Sequence, residues 1–437
     1  MMAHKARPVV LSVILAAGMA GYYFQIFLPR ARATRAAHNI GFFYAEDMYP
    51  YWFGTRELLL HHRSPYNEDS TRQIQAVLYG RVLDPQNPYE RDQHRFSYPL
   101  YIALLLAPFA WFPFWVLRAC AAAALPLFVV FGVVLWKRAM RLTLTRTQLG
   151  ITSLLALCSY SLLDALVTQQ LTVVVFFAFS LAIWFLANKR FALSGIALAI
   201  ATIKPQLAIV PVCFLLLWTL SRWPQRRNLV RSLAICTGVL AAVSMFLLPS
   251  WPIEWWHTIV SYRHYTVPPL TVYILGGIVG TLMNAFLLLL AIWFSWRSRH
   301  DEPTSHRFAS TWAFTCIVPV VSLSTGNAVY DHIMILPALL LLLSQWRSMS
   351  ARGGVIRILL WTSAAVFAWQ PASATIVFLI NVISPTLIRP ATLLSAPLRT
   401  QPSMPFAVLA LLGLQMVASS RHGVDAGSRR PSSELIQ

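Results

Sequence analysis

Charged residues are scarce in this chain of 437 residues. Asp, Glu, Lys and Arg make up 11% of the sequence, whereas an ordinary soluble domain has roughly 25%. Hydrophobic residues make up 57%. This composition excludes an ordinary water-soluble globular protein. It predicts an all-α, polytopic membrane protein, because helices satisfy their own backbone hydrogen bonds where no water can.

Long apolar runs recur along the chain, and each approaches or exceeds the roughly 20 residues that a spanning helix needs. The clearest runs are residues 8–28, 114–136, 149–166, 171–187, 229–248, 272–296 and 308–323. The first follows Lys5 and Arg7, is longer than a signal-peptide core and lacks a clear small-residue cleavage site. We therefore expect it to be a retained membrane anchor.

Acidic residues are rarer than basic ones, 15 against 35, which gives a formal net charge of +20. Such an excess can indicate nucleic-acid binding, but here the basic residues fall between the apolar runs rather than on one soluble face. This distribution follows the positive-inside rule. We therefore expect the lipid bilayer, and no nucleic acid, as a partner.

Motifs for metal, nucleotide or thiol chemistry are missing from the sequence. The five cysteines all lie in apolar runs without a CxxC spacing, and we expect them to be packing residues: Cys120, Cys158, Cys213, Cys236 and Cys316. No DxD or HExxH pattern, Walker loop or GxSxG elbow occurs. We expect no cofactor and no metal. No internal repeat is evident, which disfavours transporter folds built from duplicated halves.

Basic segments between the runs predict which loops are cytoplasmic. These segments are residues 137–146, 189–190, 222–231, 297–307, 347–357 and the tail from 421. The opposite, outward side then receives the long loop 29–113. For Lys137 and its basic neighbours to lie inside, residues 99–112 must form a surface or re-entrant helix rather than a crossing. The result is about twelve spans with both ends inside.

We expect a single membrane domain over residues 1–420, in which the outward loop 29–113 carries juxtamembrane helices. The Ser- and Arg-rich residues 421–437 are predicted to be a disordered cytoplasmic tail, and the Pro-rich region 371–405 has no clear assignment. Two short spans, 191–203 and 206–220, meet at Lys204 and Pro205. Short helices at membrane depth are tolerated where they line a wet cavity, so we expect Lys204 to face one.

Isolated polar residues collect on the outward side of this topology. They are Glu46, Asp47, Asp164, Gln169, Gln170, Lys204, Glu254, Arg263, His264, Asp331 and His332. Ionisable groups at a bilayer boundary cost free energy unless water, a partner or a substrate compensates. A carboxylate, a lysine and histidines around one cavity suit a reaction in which a base removes a hydroxyl proton while cations stabilise a departing phosphate.

Several of these residues also have a structural interpretation. Asp47 can cap the helix that follows it, and Lys204 can extend its ammonium group to the membrane surface. Asp331 and His332 can pair with a basic neighbour or cap the next helix, and Asp164 lies near a span end.

The segment 250–270 is rich in aromatic residues. It holds three tryptophans and two tyrosines, a composition typical of an aromatic belt at the membrane surface. Because it also carries Arg263 and His264, a role in binding sugars and phosphates is the alternative.

The order of these pieces resembles a known family. An early span precedes an outward loop with Asp47 and Ser64-Pro65-Tyr66, followed by Phe96-Ser97-Tyr98-Pro99-Leu100, Gln169-Gln170, Ile203-Lys204-Pro205-Gln206 and Tyr330-Asp331-His332. From about residue 8 to residue 345 the chain resembles glycosyltransferase family 87. That family includes the polyprenol-phosphate-mannose-dependent alpha-1,2-mannosyltransferases of actinobacteria. It commonly shows YPP where this chain has Tyr98-Pro99-Leu100, and Gly-Gln where it has Gln169-Gln170.

The resemblance implies a C-type glycosyltransferase fold in a bacterial inner membrane. It also implies a polyprenyl-phosphate-linked sugar donor, transfer on the periplasmic face, and no nucleotide sugar or essential metal. In such enzymes the early outward carboxylate is the catalytic base, which matches Asp47, and basic residues bind the lipid phosphate, which matches Lys204 and His332. Further candidates for the phosphate are Arg263 and His264, and candidates for substrate binding are Glu46, Tyr98, Gln170, Gln206 and Asp331.

We therefore expect inverting transfer of a sugar, mannose or another hexose or pentose, to a lipid or glycan acceptor. Two alternatives share the same cavity. A lipid-linked sugar transporter or flippase would bind the phosphate headgroup without making a bond, and a surface-polysaccharide polymerase or ligase would use a donor that carries a glycan. A transporter predicts polar residues that reach both faces, whereas those found here gather on one.

Overall fold

The fold is helical throughout the part of the chain that the computed structural model describes: residues 2–37, 44–84, 93–351, 354–385 and 391–427. Helix accounts for 81% of the structure, and no strand occurs among these residues. The prediction of an all-α, multi-pass membrane protein is confirmed at this level. The C-type fold, the count of twelve spans and the single domain over residues 1–420 stay predictions.

The first span belongs to a longer helix than its apolar run indicates. α1 (Met2–Tyr22) leads through a π-helical turn (Tyr23–Phe27) into α2 (Leu28–Ala37). A single candidate span therefore covers Arg7–Ala37. The apolar run ends at residue 28, but the helix continues because the alanines and arginines that follow are strong helix formers.

Three short helices occupy the outward segment, the residues 29–113 that the charge pattern predicts to face outward. They are α3 (Tyr49–His61), α4 (Glu68–Tyr79) and α5 (Ile102–Leu106), with a 3-10 turn (Ala107–Phe109) after α5. α4 starts where the Asn67 side chain accepts a hydrogen bond from the Ser70 backbone N–H at 2.6 Å, a favoured N-cap. α5 and its 3-10 turn lie within the stretch 99–112 and are too short to cross a bilayer.

Six helical segments of the described chain are long and apolar enough to span a membrane. They are Arg7–Ala37, α6 (Phe114–Ala139), α12 (Trp223–Leu247), α15 (Gly277–Ser298), α19 (Gly354–Ile383) and Ala396–Val417, which ends within α21 (Met404–Gly427). α7 (Arg146–Leu157) and α8 (Tyr160–Thr168) form one more candidate, bent by 60°. The bend lies at Cys158 and Ser159, between two helices that are each too short to span alone.

Shorter apolar helices lie between these spans. They are α9 (Thr172–Ala187), α10 (Phe191–Ala201), α11 (Pro205–Leu220), and a 3-10 stretch (Val329–Ile335) that continues as α17 (Leu336–Ser344). The other helices are α13 (Trp251–Tyr265), α14 (Leu270–Leu275), α16 (His306–Ser322), α18 (Trp346–Ala351) and α20 (Ala391–Leu394).

One predicted span is interrupted. The apolar run 272–296 was expected to be continuous, but it divides at Gly276 into α14 and α15. Gly276 has a φ of 82°, a left-handed conformation that glycine adopts without steric cost. The candidate membrane crossing therefore starts at Gly277 rather than at residue 272.

The C-terminal region 371–405, which has no assignment from sequence, is largely helical where it is described. α19 continues across Pro371 to Ile383, and α20 and two 3-10 turns lead into α21. α21 extends to Gly427, and residues 428–437 lie outside the described residues. Disorder of the tail stays a prediction.

The helices α9 and α16 lie at the centre of the bundle. Every residue of α16 from Phe308 to Ser322 is buried. At the crossing of α6 and α9, a Cβ on Gly132 would stand 2.4 Å from the Phe176 ring, so close packing needs the glycine. α12 and α15 instead expose large apolar side chains, such as Phe246 (87% exposed) and Ile278 (81%), as expected of helices that face lipid.

The cysteines only partly follow their expected role. Cys316 is buried, whereas Cys120 and Cys213 are exposed. The prediction that all five are packing residues was wrong for these two, because they lie on outer faces of α6 and α11, where an apolar sequence indicates contact with lipid rather than with protein.

Candidate active site

A buried ion pair joins two of the predicted site residues. Lys204 Nζ lies 3.0 Å from Asp331 Oδ1, and the two residues are 2% and 1% exposed. Lys204 stands at the break between α10 and α11, where Pro205 begins α11. Proline disfavours the helical conformation of the residue before it, so the helix breaks at Lys204 and its side chain points into the bundle. Asp331 lies in the 3-10 stretch before α17.

The predicted environment of Lys204 was wrong in one respect. We expected its ammonium group to face a wet cavity, but burial leaves it 2% exposed. An unpaired ammonium ion at that depth would be costly, and Asp331 compensates it. The alternative interpretation of Asp331, pairing with a basic neighbour, is therefore confirmed.

Thr172 completes this cluster, although nothing in the sequence singled it out. Its hydroxyl donates to Asp331 Oδ1 and accepts from Lys204 Nζ. Thr172 is the first residue of α9 and is fully buried. Three otherwise separate parts of the chain, residues 172, 204 and 331, thus form one hydrogen-bonded group, as a buried charge pair requires.

Aromatic rings surround the lysine. Lys204 Nζ lies 4.7 Å from the centre of the Tyr330 ring and 5.8 Å from that of Tyr98, both within cation–π range. Tyr98 stacks on Tyr51, with ring centres 4.5 Å apart and planes 4° from parallel. The outward segment thereby closes over the ion pair.

The segment 96–100 is held in place by two hydrogen bonds to its carbonyl oxygens and by one that the adjacent Tyr101 donates to the α10–α11 junction. The Tyr66 hydroxyl donates to the Tyr98 carbonyl oxygen at 2.8 Å, and Trp255 Nε1 donates to the Ser97 carbonyl oxygen at 3.0 Å. The Tyr101 hydroxyl donates to the Thr202 carbonyl oxygen at 2.7 Å. Backbone carbonyls are the acceptors in each case, so the position of Tyr98 is tied to α13 and to the α10–α11 junction.

Asp47 lies at the edge of the same aromatic cluster. Its carboxylate is within electrostatic range of the phenols of Tyr51, Tyr98 and Tyr330. The N-cap of α3 is Met48, so the interpretation of Asp47 as the cap of that helix was wrong. The structure therefore brings Asp47, Tyr98, Lys204 and Asp331 together around one group of rings.

The neighbouring carboxylate has a different environment. Glu46 Oε2 lies 2.7 Å from Arg35 Nη1 and 4.0 Å from His94 Nε2. The turn that carries both acids is fixed by the Ala45 backbone N–H, which donates to the Val167 carbonyl oxygen at 3.0 Å. Adjacent acids thus have separate roles: Glu46 pairs with the α2 arginine, and Asp47 joins the tyrosines.

Burial raises the pKa of the Tyr98 phenol well above its usual value of 10.0, and the charges of Asp331 and Asp47 raise it further. Burial likewise raises the pKa of Tyr51, with smaller contributions from Tyr98 and Asp47. A hydrogen-bonding contact with Ser97, 3.4 Å from the Tyr51 hydroxyl, opposes that shift. Both rings therefore remain neutral, as faces for a cation or a sugar.

α13 contributes more to the site through Tyr262 than through the two basic residues chosen from sequence. Tyr262 is within electrostatic range of Tyr98, whereas Arg263 and His264 are exposed. Glu254 on the same helix accepts hydrogen bonds from the hydroxyls of Ser64 and Ser250 and so anchors α13 to the outward segment. The phosphate-binding role of Arg263 and His264 stays a prediction.

The candidate glutamines lie close in sequence to the ion-pair cluster: Gln169 and Gln170 precede Thr172, and Gln206 follows Lys204. Gln169 ends α8 with a φ of 57°, and its Nε2 donates to the Arg118 carbonyl oxygen at 2.7 Å. Gln170 is buried beside Thr172, and Gln206 in the first turn of α11 is half-buried. Asp164 accepts a hydrogen bond from the Tyr23 hydroxyl at 3.1 Å, which supports its structural interpretation.

His332 lies in a different environment from its neighbour Asp331. Its Nδ1 is 2.9 Å from Gln401 Nε2, and the Gln401 side chain also bonds Ser161 and Gln370. This buried polar network joins the 3-10 stretch before α17 with α8, α19 and the turn before α21. Gln401 comes from the region that the sequence left unassigned, so it was missed.

A cavity of about 410 Å³ extends from His332 between α7, α17, α19 and α21. Its lining is largely aliphatic and aromatic, for example Leu162, Leu339, Phe367 and Val408. His332, Ser161 and Gln370 are among its polar members. An apolar cavity with a few polar groups in its lining suits a ligand that joins a hydrocarbon chain to a polar head.

The family model of glycosyltransferase family 87 matches residues 96–267. The match supports the predicted assignment to glycosyltransferase family 87 over this part of the chain. No curated protein and no solved structure matches the chain.

The family 87 match is narrower than the resemblance seen in the sequence. It contains the segment 96–100, the glutamines at 169 and 170, Lys204 and the aromatic segment with Arg263 and His264. Asp47, Asp331 and His332 lie outside it. The family supports a membrane glycosyltransferase, and the structure adds the contacts that bring the residues outside the match to those within it.

Proposed function

We propose that this protein transfers a sugar from a polyprenyl-phosphate donor to a lipid or glycan acceptor on the periplasmic face of a bacterial inner membrane. The observation that carries the proposal is the meeting of Asp47 with Lys204 and Asp331 around Tyr98 and Tyr51. Asp47 comes from the turn before α3, and Lys204 from the junction of α10 and α11. A carboxylate and a cation near one group of aromatic rings suit glycosyl transfer to a hydroxyl group.

In the proposed reaction the acceptor hydroxyl oxygen forms a bond to the anomeric carbon while Asp47 takes its proton. The bond between that carbon and the phosphate oxygen breaks, and its electron pair leaves with the polyprenyl phosphate. A single displacement of this kind inverts the anomeric centre. The sugar is mannose or another hexose or pentose, and Glu46, Gln170 and Gln206 are candidates for its hydroxyl groups.

Lys204 stabilises the departing phosphate in this proposal. In the structure its ammonium group is held by Asp331 and Thr172, so the donor phosphate competes with Asp331 for it. Charge-assisted contacts to an oxyanion are strong where water is excluded. The cavity lined by His332 accommodates part of the polyprenyl chain, since its lining is largely apolar and His332 directly follows Asp331 in the chain.

The test is transfer of radiolabelled sugar by purified protein from polyprenyl-phosphate-mannose, and from a panel of other polyprenyl-linked sugars, to a membrane lipid extract. Asp47→Asn is expected to lower transfer about 100-fold to 10,000-fold. Asp69→Asn is the matched control because Asp69 is exposed in the first turn of α4. Equal transfer by Asp47→Asn and the control would reject Asp47 as the base.

Movement of labelled donor across proteoliposomes without any sugar transfer would favour the flippase alternative. Release of products that grow by whole glycan units would favour the polymerase or ligase alternative. Both assays use the same purified protein and donors, so the three functions give separate results.

A further inference from the structure

His94 is an ionisable residue of the outward segment that the proposed reaction does not use. Its side chain is 7% exposed, and its backbone has a φ of 45°. Left-handed backbone is uncommon for residues other than glycine, although histidine adopts it more often than most. Such conformations persist where the surrounding structure imposes them, and they are frequent at functional sites. The contacts of His94 show what imposes this one.

Both neighbours of His94 in the chain are fastened to α4. Gln75 Nε2 donates to the Gln93 carbonyl oxygen at 3.1 Å, and Arg95 Nη2 lies 2.9 Å from Glu68 Oε2. Arg95 Nε also donates to the Gln93 side-chain oxygen at 2.6 Å. Because the residues on each side are held, the backbone of His94 has little freedom and its ring keeps one direction.

The His94 ring contacts an aromatic ring and a carboxylate. It stacks on Tyr79, with ring centres 5.5 Å apart and planes 12° from parallel. Its Nε2 atom lies 4.0 Å from Glu46 Oε2. A tyrosine face and a carboxylate both attract a cation, so a proton on His94 strengthens both contacts.

Other charged groups lie around this contact. Asp47 follows Glu46 in the same turn, and Asp164 on α8 is within electrostatic range of Glu46. Both add to the attraction for a charged His94. Arg35 on α2 opposes it, because its Nη1 atom lies 2.7 Å from the same Glu46 carboxylate. Glu46 is the carboxylate in ion-pair range of His94, so we expect attraction to outweigh repulsion.

Glu46 connects His94 to the proposed base, because it directly precedes Asp47. The turn of residues 44–48 is attached elsewhere by the backbone hydrogen bond from Ala45 to the Val167 carbonyl oxygen. Ala45 has a φ of 61°, so the turn itself has a conformation that its surroundings must maintain. The contact between Glu46 and His94 is a second attachment, and it is one whose strength depends on pH.

We propose that His94 is a positioning residue for Asp47: its protonated ring pairs with Glu46 and holds the turn 44–48 where the reaction needs it. Loss of that proton as the pH rises removes the ion pair and loosens the turn. Sugar transfer then declines on the alkaline side of the histidine range. The effect on transfer rests on the proposed function, because it requires Asp47 to be the base. The pairing of His94 with Glu46 does not.

The first measurement is the pH profile of sugar transfer by purified full-length protein in nanodiscs. The kcat of wild type is expected to fall about 3-fold to 10-fold from about pH 5.5 to about pH 8.5. His94→Asn is expected to keep a low kcat across this range, since asparagine tolerates left-handed backbone but carries no charge. His94→Lys remains charged throughout and is expected to lack the fall.

The matched control is His62→Asn. His62 is another histidine of the outward segment with left-handed backbone, at a φ of 55°, but it is exposed. This variant is expected to keep the pH profile of wild type. His94→Asn/Glu46→Gln completes a double-mutant cycle with the two single variants. If the two side chains act as a pair, their separate losses of kcat do not add.

The second measurement needs no turnover. It is amide hydrogen exchange in the peptide that carries residues 44–48, corrected for the intrinsic exchange rate at each pH. Exchange in wild type is expected to be about 3-fold to 10-fold slower at the acid end of the range than at the alkaline end. The difference is expected to vanish in His94→Asn and to persist in Asp47→Asn. If it persists while no variant transfers sugar at any pH, the pairing stands and the proposed function fails.

Three outcomes would overturn the proposal. One is a His94→Asn protein whose transfer and exchange follow the pH as in wild type. Another is an equal effect of His94→Asn and His62→Asn, because replacement of any left-handed histidine would then explain it. If His94→Asn does not fold, as its melting temperature would show, His94→Lys decides: a fall in kcat like that of wild type would reject the role of the His94 charge.

Discussion

Lys204 and Asp331 form a salt bridge of 3.0 Å whose two side chains are almost wholly inaccessible. The residues are separated by 127 positions, and each lies where a helix begins after a break. Their pairing fixes the α10–α11 junction against the start of α17.

Removing one partner of this pair should be costly. Lys204→Met is expected to lower the free energy of unfolding by about 3–5 kcal/mol, because the Asp331 charge is left buried without its counter-ion. Lys204→Met/Asp331→Asn should recover much of that loss. Denaturant titration in detergent measures the free energy of unfolding of both variants.

Arg222→Gln serves as the control, because the ion pair of Arg222 with Glu302 is largely exposed. Its loss of unfolding free energy is expected to stay below about 1 kcal/mol. Additive losses in the double variant would contradict the coupling.

Gly54 should be essential for the position of the segment 96–100. A Cβ at Gly54 would stand 2.4 Å from Phe96 Cδ2 and 2.8 Å from Pro65 Cβ, so Gly54→Ala must displace a packed ring. We expect a loss of about 1–3 kcal/mol in unfolding free energy together with reduced sugar transfer. Gly150→Ala is the control, since no atom lies within 4 Å of its added methyl group and alanine favours a helix by about 0.5–1 kcal/mol. A Gly54→Ala protein as stable and active as wild type would refute the tight contact.

Alkaline conditions should destabilise the site through its buried phenols. The raised pKa values of Tyr98 and Tyr51 mean that the folded state keeps their protons at pH values where the unfolded chain loses them. Stability is therefore full below about pH 10 and falls as the pH rises above it, by about 1.4 kcal/mol per pH unit for each phenol. Tyr98→Phe should show a smaller fall between pH 9 and 11 than wild type.

The control for the alkaline experiment is Tyr273→Phe, because Tyr273 is 62% exposed on α14. Its unfolding midpoint should follow that of wild type across the same pH range. Identical pH dependence in Tyr98→Phe, Tyr273→Phe and wild type would show that the Tyr98 phenol does not contribute.

Filling the apolar cavity should affect the donor's chain rather than its sugar. Ala156 lines the cavity and is 7% exposed, so Ala156→Phe places a ring inside it. We expect KM to rise for long polyprenyl donors and to change little for short ones, with a stability cost of about 1–3 kcal/mol. Ala365→Phe, at an exposed position of α19, is the control. A KM increase independent of chain length would place the chain elsewhere.

Composition and charge spacing were sufficient to predict the helical, membrane-spanning class, because both depend on local sequence. The same holds for the break at Lys204, which Pro205 encodes directly. Thr172 and Gln401 could not be found this way. Each is an ordinary polar residue in sequence. The packing of α9 brings Thr172 to Asp331, and the turn before α21 brings Gln401 to His332.

The end of the first span shows the opposite limit. The apolar run ends at residue 28. Arginine and alanine are nevertheless good helix formers, so α2 continues through its arginines to Ala37. Gly276 divides an apolar run for a related reason, since hydropathy does not report the φ angle that interrupts a helix.

The hydrogen bond from the Ala45 backbone N–H to the Val167 carbonyl oxygen ties the turn bearing Asp47 to the end of α8. Since both atoms belong to peptide groups, the tether needs no side-chain donor or acceptor. Proline at residue 45 would abolish it, because proline lacks the N–H and cannot adopt the φ of 61° that Ala45 has. Val167→Ala would leave the tether in place. Slow amide exchange at residue 45 would reveal the tether, and faster exchange there would report opening of the turn that bears Asp47.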